Sequence, residues 1–190
     1  MITAPISADN IIDFILDLFA RKGAEEYLGE AVSMAQHMEQ SAACAVADGA
    51  SDALVVVALL HDIGHLVGDF PIDSLESDID YYHEETGAEF LAPFFPPSIT
   101  EPIRLHVVAK KYLCAVDKSY FERLSDASKQ SLQLQGGPMN EAEIEEFEAN
   151  SYHQAAVKLR LYDDDGKISG LNIKPVYHYR PMLESLMESS

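Results

Sequence analysis

The string HDIGH at residues 61–65 is the segment of the chain best suited to chemistry. It directly follows the apolar run at residues 52–60, so His61 and Asp62 are expected to be buried. Burial of unpaired ionisable groups is costly, and a bound metal ion would compensate for that cost. His65 lies one helical turn after His61 and therefore on the same helix face. The string predicts a metal site at the end of a buried helix.

Four further side chains of the same chemical kind are spread along the chain: His37, His83, His106 and Asp163. Taken singly, each is more often an ordinary core or surface residue than a metal ligand. Imidazole and carboxylate groups are donors that suit Fe, Mn or Zn. A carboxylate also has two oxygens, with which it can bridge two ions about 3.5–4 Å apart. Asp62 is the natural candidate for such a bridge.

The elements that must position these side chains are predicted to be helices. Apolar residues recur at three- and four-residue steps almost throughout, and a first helix is expected from about Asn10 to Arg21. Capping-box patterns at Ser33, Ser98 and Asn140 predict further helix starts. The pattern favours an all-α fold, a single domain spanning residues 1–190.

Three segments leave the pattern less clear. The valine-rich run at residues 52–60 would also suit a buried strand, although a cap at Ser51 or Asp52 favours a helix. The stretches 67–80 and 164–179 are polar and lack helical periodicity, and either is a candidate lid over a pocket.

Composition excludes several classes of function. The 13 Lys and Arg against 32 Asp and Glu give a net charge of −19, which disfavours binding to nucleic acid or to an anionic membrane surface. Cys44 and Cys114 form no metal-binding or disulfide pattern. No signal peptide or membrane span is evident in the sequence, so a cytoplasmic protein is expected. No obligate protein partner is evident either.

The order of the six candidate ligands resembles that of the HD-domain superfamily. Further residues narrow the resemblance: Tyr27 and Glu30 before His37, Lys110 after His106, and then Ser128, Ser131 and Gln135. Together they resemble the HD-domain mixed-valent diiron oxygenases of phosphonate catabolism (the PhnZ and TmpB type), which are related to myo-inositol oxygenase. The resemblance is strongest over residues 27–163, and it implies an all-α HD-domain helical bundle with a dinuclear metal site in its core.

The resemblance also implies a reaction and its cofactors. A small organophosphonate, 1-hydroxy-2-(amino or trimethylamino)ethylphosphonate, would be cleaved at its C–P bond to inorganic phosphate and glycine or glycine betaine. Two Fe ions, as Fe(II)/Fe(III), would serve as cofactor and O2 as co-substrate. Overall similarity favours the N-methylated substrate, and no residue-level argument separates it from the primary amine.

The roles implied by the resemblance fall on particular residues. One iron would be held by His37, His61 and Asp163, the other by His83 and His106, with Asp62 between them. Tyr27 would occupy the open position of the second iron until substrate displaces it, and Glu30 would hydrogen-bond to its phenol. The remaining residues would bind the phosphonate: His65, Lys110, Ser128, Ser131 and Gln135. Lys111 and Arg104, on neighbouring turns, are expected to extend the basic spot around Lys110.

Two alternatives stay open from the sequence. HD-domain proteins are more commonly metal-dependent phosphohydrolases, which would act on a small phosphomonoester or a nucleotide. A non-catalytic regulatory module is the other alternative, and it predicts lost ligands or an appended domain. All six ligand positions are filled in this chain.

Overall fold

The computed structural model describes residues 5–24, 31–68 and 82–188. The α-helices of this part of the chain are α1 (Ile11–Lys22), α2 (Met34–Ala47), α3 (Asp52–Leu60), α4 (Ile63–Val67), α5 (His83–Leu91), α6 (Pro97–Val116), α7 (Lys118–Arg123), α8 (Asp126–Leu134), α9 (Glu141–Ala149), α10 (His153–Asp165) and α11 (Arg180–Ser185). A 3-10 helix, Val176–Tyr179, precedes α11. The predicted all-α fold is confirmed.

Local signals set most of the helix starts. Ser33 and Gln36 form a capping box at α2, and Asn140 and Glu143 form another at α9, as predicted. The capping box predicted at Ser98 is wrong, because α6 already begins at Pro97. Proline is preorganised for the first helical position, where its missing N–H costs nothing.

The run at residues 52–60 is helical, as the capping argument favoured. The Ser51 hydroxyl accepts a hydrogen bond from the Leu54 amide at 3.4 Å. Its last six residues, 55–60, are almost fully buried. A helix that is apolar all round belongs in a core, and α3 ends at the string HDIGH.

The core lies where α3, α6 and α10 meet. The largest apolar cluster joins α1 to α4 with parts of α6 and α10 and with the C-terminal segment. A smaller cluster joins α6, α9 and α10, and a third lies under α7 and α8. Across residues 5–24, 31–68 and 82–188, every helix is too short or too polar to span a bilayer.

The segment that follows α10 is tied to α2. The Gln40 side chain donates to the Ile168 carbonyl at 2.8 Å and accepts from the Ile168 amide at 2.9 Å. The Val176 amide donates to Glu39 Oε1 at 2.7 Å. These bonds anchor the candidate lid at 164–179, whose first two residues belong to α10. In the other candidate lid, 67–80, residues 69–80 lie outside the described residues.

Candidate metal centre and anion-binding cavity

Five helical segments bring the six candidate ligands together. His37 comes from α2, His61 and Asp62 from the junction of α3 and α4, His83 from the start of α5, His106 from α6 and Asp163 from α10. All are buried except His83, which is partly exposed.

Two close backbone approaches bring these segments near enough for their candidate ligands to meet. A Cβ on Gly64 would lie 1.9 Å from the His83 carbonyl oxygen, so only glycine allows α4 to pass α5 at this distance. A Cβ on Gly166 would lie 3.0 Å from the His37 carbonyl oxygen and 3.1 Å from the Ser41 amide nitrogen, as well as 2.4 Å from Ser41 Oγ. Each glycine therefore sets the distance between two segments that carry candidate ligands.

The two oxygens of Asp62 face different groups of imidazoles. Asp62 Oδ2 lies 3.6 Å from His37 Nε2 and 3.4 Å from His61 Nε2. Asp62 Oδ1 lies 3.2 Å from His83 Nε2 and 3.5 Å from His106 Nε2. One carboxylate thus separates two clusters, each able to hold an ion.

Asp163 completes the first cluster. Its Oδ1 lies 3.3 Å from His37 Nε2, and the Nε2 atoms of His37 and His61 are 3.1 Å apart. In the second cluster the Nε2 atoms of His83 and His106 are 3.2 Å apart. Donor atoms that converge in this way suit a cation between them.

The other ring nitrogens have protein partners that fix the orientation of the imidazoles. The Nδ1 atoms of His37, His61 and His106 lie 3.0, 2.9 and 2.7 Å from the carbonyls of Gly166, Ala58 and Ile103. His83 Nδ1 instead lies 3.5 Å from Glu84 Oε2. Bonds of this kind turn each Nε2 toward Asp62 and are typical of histidines that bind metal.

The residues fit bound cations electrostatically. Neither oxygen of Asp62 accepts a hydrogen bond of normal geometry, nor does Asp163 Oδ1, although all three atoms are buried. Burial raises the pKa of the Asp62 carboxyl, but the surrounding imidazoles, His61 foremost, hold that pKa well below its usual range. Burial lowers the pKa of His61 to about 4. Ionised carboxylates beside neutral imidazoles are the states that bind metal.

A cavity of about 60 Å³ opens beside the two clusters. Its walls include both carboxylates of the candidate centre, Asp62 and Asp163. The polar residues that line the rest of it are His65, His83, His106, Lys110, Ser128, Ser131, Gln135, Arg160 and Lys167. The cavity therefore joins a candidate metal centre to a wall of three cationic side chains.

The comparisons with known proteins agree with this architecture. The sequence profile of the HD-domain family matches residues 27–131. The chain belongs to the HD-domain family. It is 45% identical over 183 residues to the [1-hydroxy-2-(trimethylamino)ethyl]phosphonate dioxygenase (glycine-betaine-forming) of Leisingera caerulea. The alignment covers 96% of this chain and 93% of that protein. It is 44% identical over 168 residues to the hydroxymethylphosphonate dioxygenase of Gimesia maris, covering 87% and 83%.

These matches confirm the family that the sequence analysis identified. The chain is a homologue of phosphonate dioxygenases within the HD-domain family. Together with the His and Asp clusters, this homology implies bound metal ions and O2 as co-substrate.

Most of the residues that the sequence analysis assigned to phosphonate binding lie at the cavity. His65, Lys110, Ser128, Ser131 and Gln135 all line it. Tyr27 and Glu30 lie outside the described residues. The expected contribution of Arg104 and Lys111 is wrong: neither lines the cavity, and Arg104 instead pairs with Glu85 and with Glu101.

Lys110 is the most buried of the three cations, with 3% of its surface exposed. Its Nζ donates to Ser131 Oγ at 2.7 Å. Burial, reinforced by the charge of Arg160, lowers the pKa of Lys110 to about 7. The energetic cost of keeping this ammonium charged falls when an anion enters the cavity.

Arg160 and Lys167 are the cavity residues that sequence reasoning missed. Arg160 Nη1 lies 2.6 Å from Asp163 Oδ2, and Lys167 Nζ donates to Ser128 Oγ at 3.3 Å. Arg160 lies one helical turn before Asp163 on α10, and that spacing was its signal. Lys167 follows the end of the helix, so helical periodicity gave no signal for it. Gln135 Oε1 is buried there without a hydrogen-bond donor.

Proposed function

We propose that this protein is an O2-dependent dioxygenase that cleaves the C–P bond of a 1-hydroxyphosphonate. The observation that carries the proposal is the single carboxylate, Asp62, whose two oxygens face two separate imidazole clusters beside a cationic cavity. This arrangement supports the binding of a pair of metal ions next to an anionic substrate.

The ligand assignment follows the two clusters. We assign His37, His61 and Asp163 to one ion, His83 and His106 to the other, and Asp62 to both. We assign Tyr27 to the second ion in the absence of substrate, with Glu30 as the hydrogen-bond partner of its phenol. Zinc has no redox chemistry, whereas O2 chemistry requires a redox-active metal. Following the resemblance to the diiron oxygenases, we assign iron as an Fe(II)/Fe(III) pair. When bound, such a pair supplies the site for substrate chelation and for the reduction of O2.

The overall reaction needs no external reductant. Oxidising R–CH(OH)–PO3²⁻ to a carboxylate and phosphate removes four electrons, which one O2 accepts in full. One oxygen atom enters the carboxylate, the other enters phosphate, and one proton is released. The C–P bond breaks while new C–O and P–O bonds form.

The residues of the chain bind and orient the phosphonate. Lys110, Arg160 and Lys167 supply positive charge, which a protein of net charge −19 must concentrate locally to attract a dianion. Ser128, Ser131 and His65 offer hydrogen-bond donors on the same walls, and Gln135 adds an amide. Fixed donors of this kind also stabilise the charge of the departing phosphate.

We propose the N-trimethyl compound as the preferred substrate, because the relative that forms glycine betaine matches 96% of the chain. The substrate of the second relative, hydroxymethylphosphonate, contains no amine. The 1-hydroxyphosphonate group is therefore the part that the two substrates share.

The test is phosphate release from the purified, iron-loaded protein in air and under strictly anaerobic conditions. The substrates are 1-hydroxy-2-(trimethylamino)ethylphosphonate, its primary-amine analogue and hydroxymethylphosphonate, with p-nitrophenyl phosphate as the hydrolase control. We expect one O2 consumed per phosphate with a hydroxyphosphonate and no release without O2. Equal release in both atmospheres would instead identify a hydrolase and overturn the proposal.

A further inference from the structure

A buried phenol and a second aspartate surround Arg160 on the side away from the cavity. Tyr120, on α7, is 3% exposed, and its ring packs in the cluster under α7 and α8. Its hydroxyl accepts from Arg160 Nε at 3.1 Å and donates to Asp164 Oδ2. The hydroxyl therefore lies between the guanidinium and the carboxylate, and both of its hydrogen-bonding roles are used.

Asp164 binds one edge of the same guanidinium. Arg160 Nη2 pairs with Asp164 Oδ1, and Arg160 Nε lies 3.3 Å from Asp164 Oδ2. A planar guanidinium that is held along its Nε–Nη2 edge has no freedom to rotate, so the position of Nη1 is fixed. Nη1 is the nitrogen that lies 2.6 Å from Asp163 Oδ2.

The pairing with Arg160 leaves one oxygen of Asp163 available to the first metal cluster. Because Oδ2 is engaged by Arg160, Oδ1 is the oxygen that faces His37, at 3.3 Å. Lys167 Nζ lies 3.7 Å from Oδ1, beyond hydrogen-bond distance, and Oδ1 accepts no hydrogen bond. We infer that Tyr120 and Asp164 are positioning residues: they clamp Arg160 so that it orients Asp163 toward the first metal cluster and stays at the wall of the anion cavity. The inference rests on the proposed metal role of Asp163.

The clamp predicts that two properties change together. Loss of the Tyr120 hydroxyl frees the guanidinium to turn, which loosens Asp163 and moves a positive charge away from the cavity. Metal retention in the first cluster and affinity for an anion should therefore fall together. Among the described residues, the ion pairs of Arg160 are with Asp163 and Asp164 and not with His83 or His106. The second cluster should therefore keep its metal.

The chain offers a matched control for this hydroxyl. Tyr112 also donates its hydroxyl to a carboxylate, Glu148 Oε1 at 2.8 Å, but on an exposed surface away from the cavity. Tyr112→Phe and Tyr120→Phe thus remove the same type of hydrogen bond and keep the ring. Asp164→Asn tests the clamp from its other side, should Tyr120→Phe fold poorly.

The experiment measures metal release from the iron-loaded protein during challenge with excess chelator, and binding of inorganic phosphate by calorimetry. For Tyr120→Phe and Asp164→Asn we expect about tenfold faster loss of one of two metals, since outer partners of ligands typically contribute 10–100-fold. Phosphate affinity should fall several-fold in Tyr120→Phe, which changes no charge. In Asp164→Asn the lost carboxylate charge itself favours the anion, so metal release is the measurement for that variant. Tyr112→Phe should match the unmodified protein in both measurements.

A double-mutant cycle with Arg160→Lys tests whether Tyr120 acts through Arg160. If it does, Tyr120→Phe adds little once the guanidinium is gone. A release rate for Tyr120→Phe equal to that of Tyr112→Phe, or an undiminished effect in the Arg160→Lys background, would overturn the inference. Neither measurement requires turnover, so both stay decisive if the proposed substrate fails.

Discussion

The substitution Gly64→Ala should remove the metal of the second cluster and leave the first cluster loaded. The added Cβ would lie 1.9 Å from the His83 carbonyl oxygen, whereas ordinary contact begins at 3.4 Å. The backbone of His83 must therefore move by about 1.5 Å relative to α4. Metal–ligand distances tolerate only about 0.2 Å, so His83 can no longer share an ion with Asp62 Oδ1 and His106.

The stability cost of the same substitution is expected to be moderate. Overpacking of this kind costs about 1–3 kcal/mol, and in a domain of this size each kcal/mol lowers Tm by about 2–4 °C. The variant should therefore stay folded at low temperature, while its metal content falls from two ions per chain to about one. Metal analysis after gel filtration, with circular dichroism as the fold control, measures both effects.

Gly87→Ala is the matched control at the same crossing. Its Cβ would lie 3.1 Å from the Gly64 amide nitrogen and 3.4 Å from Ile63 Cγ2, so a shift of a few tenths of an ångström relieves it. It should keep both metals. Retention of both metals by Gly64→Ala, or loss of both together, would refute the assignment of His83 to a second cluster, separate from that of His37 and His61.

Three further predictions test other parts of the site. Asp62→Asn should bind at most one metal and lose phosphate release, because an amide oxygen is a poor substitute for a bridging carboxylate; two bound metals with full turnover would contradict the bridging role. Lys110→Met should keep both metals but raise KM about 10–100-fold, since a charge-assisted hydrogen bond is worth about 1.5–3 kcal/mol; an unchanged KM would place the phosphonate elsewhere. Gly166→Ala should lower the thermal stability of the apoprotein by about 1–3 kcal/mol, because its Cβ would lie 2.4 Å from Ser41 Oγ, and calorimetric unfolding measures that loss.

Much of the fold could be predicted because its signals are local. The capping boxes at Ser33 and Asn140 and the buried helix at 52–60 follow from side chains within a few residues of each other. The capping pattern at Ser98 failed because the neighbouring Pro97 begins the helix earlier. Two valid local signals competed there, and the fixed backbone angle of proline prevailed.

The sequence by itself determined which residue types meet at the centre, because their order along the chain resembles that of a known family. It did not determine which cations face the cavity. Lys110 and Lys111 are neighbours in sequence but project about 100° apart around α6, and only Lys110 lines the cavity. Arg104 is engaged by Glu85 and Glu101, while Arg160 and Lys167 reach the cavity from α10 and the segment after it.

Only the tertiary structure decided that one oxygen of Asp62 faces His37 and His61 and the other faces His83 and His106. That division depends on helices brought together from distant parts of the chain, at distances set by Gly64 and Gly166. Periodicity specifies which face of a helix is buried, but the direction of a buried side chain depends on partners that only packing provides.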